Sequence, residues 1–224
     1  MVAYKLYLIR HGMTDGNKKG LYTGRMDIPL CEEGIEQVKS LTTLYEYPDV
    51  DEIYCSPLLR CRQTAEIIYP DRSLTLVDDL TELSLGDFEG KSIADLKGTE
   101  SYEKWISDSY HNPPPNALEN GQQFAVRIAQ GINSIFMNMC QEGIHKAAVI
   151  THGGVIMGLM SGFAFPRLPM GKWAVSGGSG FEIAMSSQMW MRDNAFEYVA
   201  DVPYGFDAKE DLAHIESLYN DEKE

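Results

Sequence analysis

Positive charge is scarce in this sequence: 19 Lys and Arg residues face 33 Asp and Glu, for a formal net charge of −14 at pH 7. Nucleic acids and anionic membrane surfaces reward clustered cations through counterion release and surface potential, so neither is expected as a partner. Long apolar runs are missing too, since no stretch approaches the ~18 uncharged residues that span a bilayer. The opening "MVAYKLYLIRHG" lacks the charged start, long apolar centre and small-residue cleavage site of a secretory signal. Cysteine is sparse: Cys31, Cys55, Cys61 and Cys140 show no CxxC or CxxH spacing, and a chain of 224 residues has no need of disulfide staples. A reducing cytoplasm suits these thiols, and a cysteine-held metal is not expected.

What remains is ordinary globular composition, 44% hydrophobic and 23% charged, in a length that fits one domain. "KLYLIRHG" reads as a buried strand, followed by a loop and a helix in "PLCEEGIEQVKSLTTLYEY", where Leu30, Ile35, Val38 and Leu41 or Thr42 fall near helical spacing. "VDEIYCS" is a second short strand, and "SPLLRCRQTAEIIY" a second helix, with Ser56 expected as N-cap and Pro57 as first helical residue. "SLTLVDDLTELSLGDFEGKS" is β-rich and then turns. Residues 91 to about 125 mix short helices with the proline-rich "HNPPPNALENG" and predict a small cap insertion. Helical periodicity returns at Phe124, Ile128, Ile132, Ile135 and Met139, before the strand "KAAVITHGG" and an apolar helix "GVIMGLMSGF". A hairpin turned at Arg192 to Asn194 and an acidic tail at about 207–224 complete the chain. The alternation predicts an α/β fold: a doubly wound, mostly parallel sheet with helices on both faces and a small cap.

Such sheets bind ligands beyond the carboxyl ends of their strands. Arg10 and His11, the residues Ser56 to Arg60, and Thr151 to Gly153 all fall at that edge. Two histidines, Arg10, Arg60 or Arg62, and the amides of the helix after Ser56 form a set suited to phosphate, because guanidinium forks and helix N-termini both favour that anion. Arg60 and Arg62 lie roughly 200° apart around a helix and cannot share one pocket, so Arg62 is expected in solvent. A neutral imidazole held there can attack phosphorus while the cations hold the equatorial oxygens, and a carboxylic acid must then protonate the leaving alkoxide.

The ordered segments "LIRHGMTDGN", "TGRMDIPLCEEG", "SPLLRCRQTAE", "LTELSLGDFEG" and "VITHGGVI" resemble the histidine phosphatase superfamily, also called phosphoglycerate mutase-like, over residues 5 to about 160. The resemblance implies that His11 is the nucleophile and becomes a phosphohistidine, and that Arg10, Arg60 and His152 complete the phosphate pocket. Asn17 matches a further phosphoryl contact. Glu82 matches the proton donor, with Asp87 and Glu89 expected as structural acids of the same turn. Gly12 and Gly153 fit positions where backbone passes close to the histidines, as a tight turn also would.

"LSLGDFEG" is more similar to the phosphatase branch than to the mutase branch. Ser107 and Asp108 stand where a mutase would carry an arginine pair for a substrate carboxylate. Thr23 and Gly24, expected with Asn17 and Gly153 among the substrate-binding residues, match the mutase pattern and keep a cofactor-dependent phosphoglycerate mutase as the alternative. The resemblance favours a cofactor-independent phosphomonoesterase acting on a small phosphorylated substrate, similar to the bacterial broad-specificity or α-ribazole phosphatases, with leaving-group choice in the cap. Asn120 replaces a serine common in relatives beside the retained Glu119. Two alternatives from other classes are a metal-dependent hydrolase with His11, His152, Glu82 and Asp15 as ligands, and a catalytically silent phosphate-binding protein. The methionines of "GGVIMGLMSG" and "MNMC" are expected to fill core gaps, and His111, His145 and His214 receive no role.

Overall fold

Strict alternation makes the first strand, β1 (Tyr4–Arg10), a two-sided element: Leu6 and Leu8 enter one apolar cluster, Tyr7 and Ile9 another. A computed structural model describes residues 3–207. After β1 come α1 (Asp15–Lys18), α2 (Glu32–Leu44), β2 (Glu52–Cys55), α3 (Leu59–Ile68) and the two-residue β3 (Thr75–Leu76). Two 3₁₀ turns lead to the short helices α4 (Ile93–Leu96) and α5 (Glu100–Ser107). The long α6 (Gly121–Glu142), β4 (Lys146–Thr151), α7 (Gly153–Phe163) and β5 (Ala164–Phe165) follow. The chain then forms β6 (Gly180–Met185), α8 (Ser187–Asp193) and β7 (Phe196–Val202).

The strands form one sheet in the order β3-β2-β4-β1-β6-β7-β5. β1, β2, β3 and β4 pair in parallel, and β6 runs antiparallel to both β1 and β7. On one face, Ile128, Ile132 and Phe136 of α6 and Val155, Ile156 and Leu159 of α7 cover Leu6, Leu8 and Val149. On the other, Val38 of α2 and Cys61, Ala65 and Ile68 of α3 cover Tyr7, Ile9 and Ile150. This is the doubly wound arrangement the sequence predicts. Leu96, Tyr102 and Trp105, from the segment 91–125, form a separate small cluster with Tyr22, Leu85 and Phe88.

Three local expectations change. Ser56 does not cap α3; the N-cap position is Leu58, because the Ser56 hydroxyl is engaged by His152. β6 and β7 are joined by α8 rather than by a tight turn. Ser186 caps that helix on Met189 N, Asn194 ends it in the left-handed conformation, and Trp190 buries against the core. The β-rich character of residues 73–92 yields only the two residues of β3. The acidic tail expected at about 207–224 lies outside the described residues apart from Asp207.

Candidate active site

Register brings the two histidines together. Arg10 of β1 pairs with Thr151 of β4, so His11 and His152 leave adjacent strand ends at the same level, with ring centroids 5.2 Å apart. Both are buried, His11 with 5% and His152 with 0% of its surface exposed. The hydrogen bonds fix each tautomer. Nδ1 of His11 lies 2.7 Å from the Gly12 carbonyl, which only accepts, so Nδ1 carries the proton and Nε2 keeps its lone pair. Nδ1 of His152 lies 3.1 Å from Nη2 of Arg60, which only donates; Nε2 of His152 therefore donates to Ser56 Oγ at 2.8 Å. Burial, then the charges of Arg60 and Arg10, push His11 well below the usual histidine range. Burial, then His11 and both arginines, do the same to His152.

Arg10 and Arg60 are held by backbone. Arg10 Nη1 donates to Val175 O at 2.7 Å; Arg60 donates to Met26 O and Gly24 O, each at 2.8 Å. The buried Nε of each arginine has no partner among the described residues, an arrangement that favours an incoming anion. The nearby cleft, about 170 Å³, is lined by Arg10, His11, Asn17, Thr23, Glu82, Gly153, Gly154, Met157, Ala174 and Val175. Asn17 caps α1 reciprocally with Thr14, which commits its Oδ1 and leaves its NH2 group as the end suited to an anion. Arg60 and His152 are buried and do not belong to the lining, and Arg62 is solvent-exposed as expected.

Several expectations are corrected by this geometry. Gly24 does not line the cleft; its carbonyl holds Arg60, and a Cβ there would meet the Leu83 carbonyl and the Glu89 carboxylate. The helix N-terminus at the cleft belongs to α7, not α3, because the first amide of α3, Leu59 N, is already occupied by Asp27 at 2.6 Å. No lining residue comes from 91–125; the apolar wall is Met157, Ala174 and Val175, so Met157 is not simply a core filler. Asn120 acts as the N-cap of α6, accepting from Gln123 N at 2.9 Å, a structural duty that serine performs equally well. Glu89 is a structural acid as expected, accepting from Arg25 N and Met26 N at 2.8 Å each. Asp87 accepts from the Asn116 side-chain amide.

Glu82 is fixed at both oxygens, Oε1 by Leu83 N and Oε2 by Gly154 N, each at 2.9 Å. Gly154 was not singled out by the sequence, although the doubled glycine in "THGGV" marks the spot. A Cβ at 154 would fall well inside contact distance of Glu82 Oε1. Gly154→Ala is therefore expected to push the flexible carboxylate aside while leaving the fold nearly unchanged. The expected result is a melting temperature within a few degrees of the parent and a kcat/KM about 10²-fold lower, the scale of a 1 Å misplacement; unchanged activity would contradict the placement of Glu82.

These neighbours point to one family. Residues 6–179 match the model of the histidine phosphatase superfamily (branch 1). The chain belongs to the histidine phosphatase superfamily. It is 34% identical over 157 residues to the adenosylcobalamin/alpha-ribazole phosphatase of Salmonella typhimurium, covering 68% of this chain and 75% of that one. The Escherichia coli enzyme of the same name is 35% identical over 156 residues, with the same coverage. Among solved structures, the alpha-ribazole phosphatase from Shigella flexneri superposes with a TM-score of 0.69 at 31% identity, covering 82% of this chain and 92% of that one. The phosphoglycerate mutase from Bacillus anthracis shares the fold, with a TM-score of 0.70 at 23% identity over 89% of this chain and 92% of that one.

This histidine phosphatase should lose stability in mild acid. Both buried histidines have pKa values depressed below the ordinary 6.5, so below that pH the unfolded chain binds protons that the folded chain refuses. Stability is complete above about pH 6.5 and falls as pH drops toward the depressed values, by ~1.4 kcal/mol per pH unit for each histidine. Urea melts between pH 7 and pH 5 measure this, and replacing His152 by Gln should flatten the slope. A slope unaffected by that change would remove His152 from the acid response.

Proposed function

We propose that the protein is a phosphomonoesterase that hydrolyses small phosphorylated metabolites through a phosphohistidine at His11, with α-ribazole 5′-phosphate as the first substrate to test. The observation that carries this reading is the His11 tautomer: Nδ1 donates to Gly12 O and leaves the Nε2 lone pair for phosphorus. In the first step Nε2 attacks, the P–O bond to the leaving group breaks, and the Glu82 carboxylic acid delivers its proton to the departing alkoxide. In the second, water attacks phosphorus, Glu82 takes a water proton, and the P–N bond breaks to release phosphate and neutral His11. Arg10, with Asn17 beside it, holds the equatorial oxygens, and the Gly12 carbonyl stabilises the imidazolium formed on attack.

The chemistry of the lining favours hydrolysis over the mutase alternative. Arg10 is the sole cation among the ten lining residues, and Asp108, at the place where a mutase would hold a substrate carboxylate, is exposed and paired with His111 at 2.8 Å. A metal set at His11 and His152 would place a cation beside Arg10 and Arg60, an unfavourable neighbourhood. Four free thiols fit a cytoplasmic location. Phosphate release from p-nitrophenyl phosphate, α-ribazole 5′-phosphate and 3-phosphoglycerate, with and without EDTA, tests the proposal. Release from the first two, unaffected by chelator, is expected; isomerisation of the third without release would overturn it.

A further inference from the structure

We propose that Arg127, paired with Glu119, is a positioning residue that sets the geometry of the proton donor Glu82 without touching substrate. This rests on the assignment of Glu82 under the proposed function. Arg127 lies on α6, outside the cleft lining, yet its guanidinium reaches the segment that carries Glu82. Nη1 donates to Asp79 O at 2.8 Å, to Thr81 O at 2.9 Å and to Thr81 Oγ1 at 3.1 Å. Nη2 donates to Glu82 O at 3.3 Å. Three carbonyls within four residues, at the end of a 3₁₀ turn and just beyond it, thus converge on one planar group whose donors are rigidly spaced.

Glu119 completes the grip from the other side. Its Oε2 accepts from Arg127 Nε at 2.9 Å and its Oε1 from Arg127 Nη2 at 2.6 Å, a bidentate pair that fixes the guanidinium plane. The same Oε1 accepts from Ser84 N at 3.4 Å and from Arg25 Nη2 at 3.0 Å. Arg25 Nε in turn donates to Glu82 O at 3.4 Å. Peptide groups on both sides of Glu82 are therefore held by one buried ion pair, with Glu119 8% exposed. The geometry matters because, among the described residues, the Glu82 carboxyl is held by two amide contacts, Leu83 N and Gly154 N, and the first of these moves with the segment itself. Without the brace, Arg25 is the other guanidinium on the backbone beneath Glu82 among the described residues, and proton delivery loses its alignment. Lysine in place of Arg127 supplies a charge but not the fork, so it should restore little.

The test is leaving-group dependence. An acidic phenol departs with little help, whereas an alkanol needs its proton in the transition state, so an error in the acid shows on alkyl esters. kcat/KM is measured for p-nitrophenyl phosphate and for an alkyl phosphate with the parent, Arg127→Gln, Arg127→Lys, Glu82→Gln and the Glu82→Gln/Arg127→Gln double variant. Arg127→Gln and Arg127→Lys should each lose about 10- to 100-fold on the alkyl ester and less than about 5-fold on the phenyl ester, and in the Glu82→Gln background Arg127→Gln should cost almost nothing further on either. Equal losses on both esters, or losses that multiply with those of Glu82→Gln, would show a merely structural role and overturn the proposal. Should Arg127→Gln fail to fold, Glu119→Gln carries the same expectation and the same contrary result. A Glu82→Gln variant with no leaving-group dependence would instead overturn the acid assignment, and the brace with it.

Discussion

Replacing His11 by alanine is expected to remove phosphomonoesterase activity on every ester, by a factor on the order of 10⁵–10⁶, the scale of removing a covalent nucleophile. Among the described residues that line the cleft, His11 is the sole imidazole. His152 cannot substitute, because its Nδ1 faces a donor on Arg60 and its Nε2 proton is held by Ser56. The loss should come without collapse of the fold: His11 stands at the end of β1, and the sheet pairing of Tyr4 to Arg10 does not use its side chain. Radiolabelled substrate quenched in alkali should leave acid-labile label on the parent and none on His11→Ala. Label that persists in the variant would place the nucleophile elsewhere.

Glu82→Gln keeps the shape of the side chain and removes its exchangeable proton. On an alkyl phosphate, kcat/KM should fall by about 10²–10⁴-fold, the usual worth of a positioned acid. On p-nitrophenyl phosphate the first step should survive, since the phenolate departs unaided, while the second step loses its base. The variant should then release one equivalent of p-nitrophenol rapidly and turn over slowly, so that phosphoenzyme accumulates. Stopped-flow absorbance reads this directly; a linear time course at the parental rate would mean that Glu82 neither gives nor takes the proton.

Much of this geometry was legible in the sequence, and for a physical reason. The continuous apolar runs in "KLYLIRHG" and "KAAVITHGG" suit strands buried on both faces of a parallel sheet, whose carboxyl ends share one edge. That put Arg10, His11 and His152 at one edge, while their side-by-side placement came from the register of β1 on β4. Spacing likewise separated Arg60 from Arg62, one buried and one exposed. What pattern could not reveal was how polar side chains choose among rival partners. Ser56 looks like a helix cap in sequence because it precedes proline, but a buried imidazole needing an acceptor outcompetes a half-exposed helix start. Gly154 carries no side chain to read, and its importance lies in the space that Glu82 occupies. Arg127 sits in a helix of good amphipathic periodicity, where one charged residue resembles any other until the irregular segment across from it is folded.

The pairing of Arg10 with Thr151 has a consequence for how the protein comes into being. A ribosome delivers the N-terminal portion first, and nascent domains fold as their parts emerge. A chain halted before β4 would possess His11 but neither the His152 imidazole beside it nor the Gly154 amide that holds Glu82. The site is complete only once Ala174 and Val175, which wall the cleft and hold Arg10, have also followed, so a product truncated before them should be inert even if it is compact.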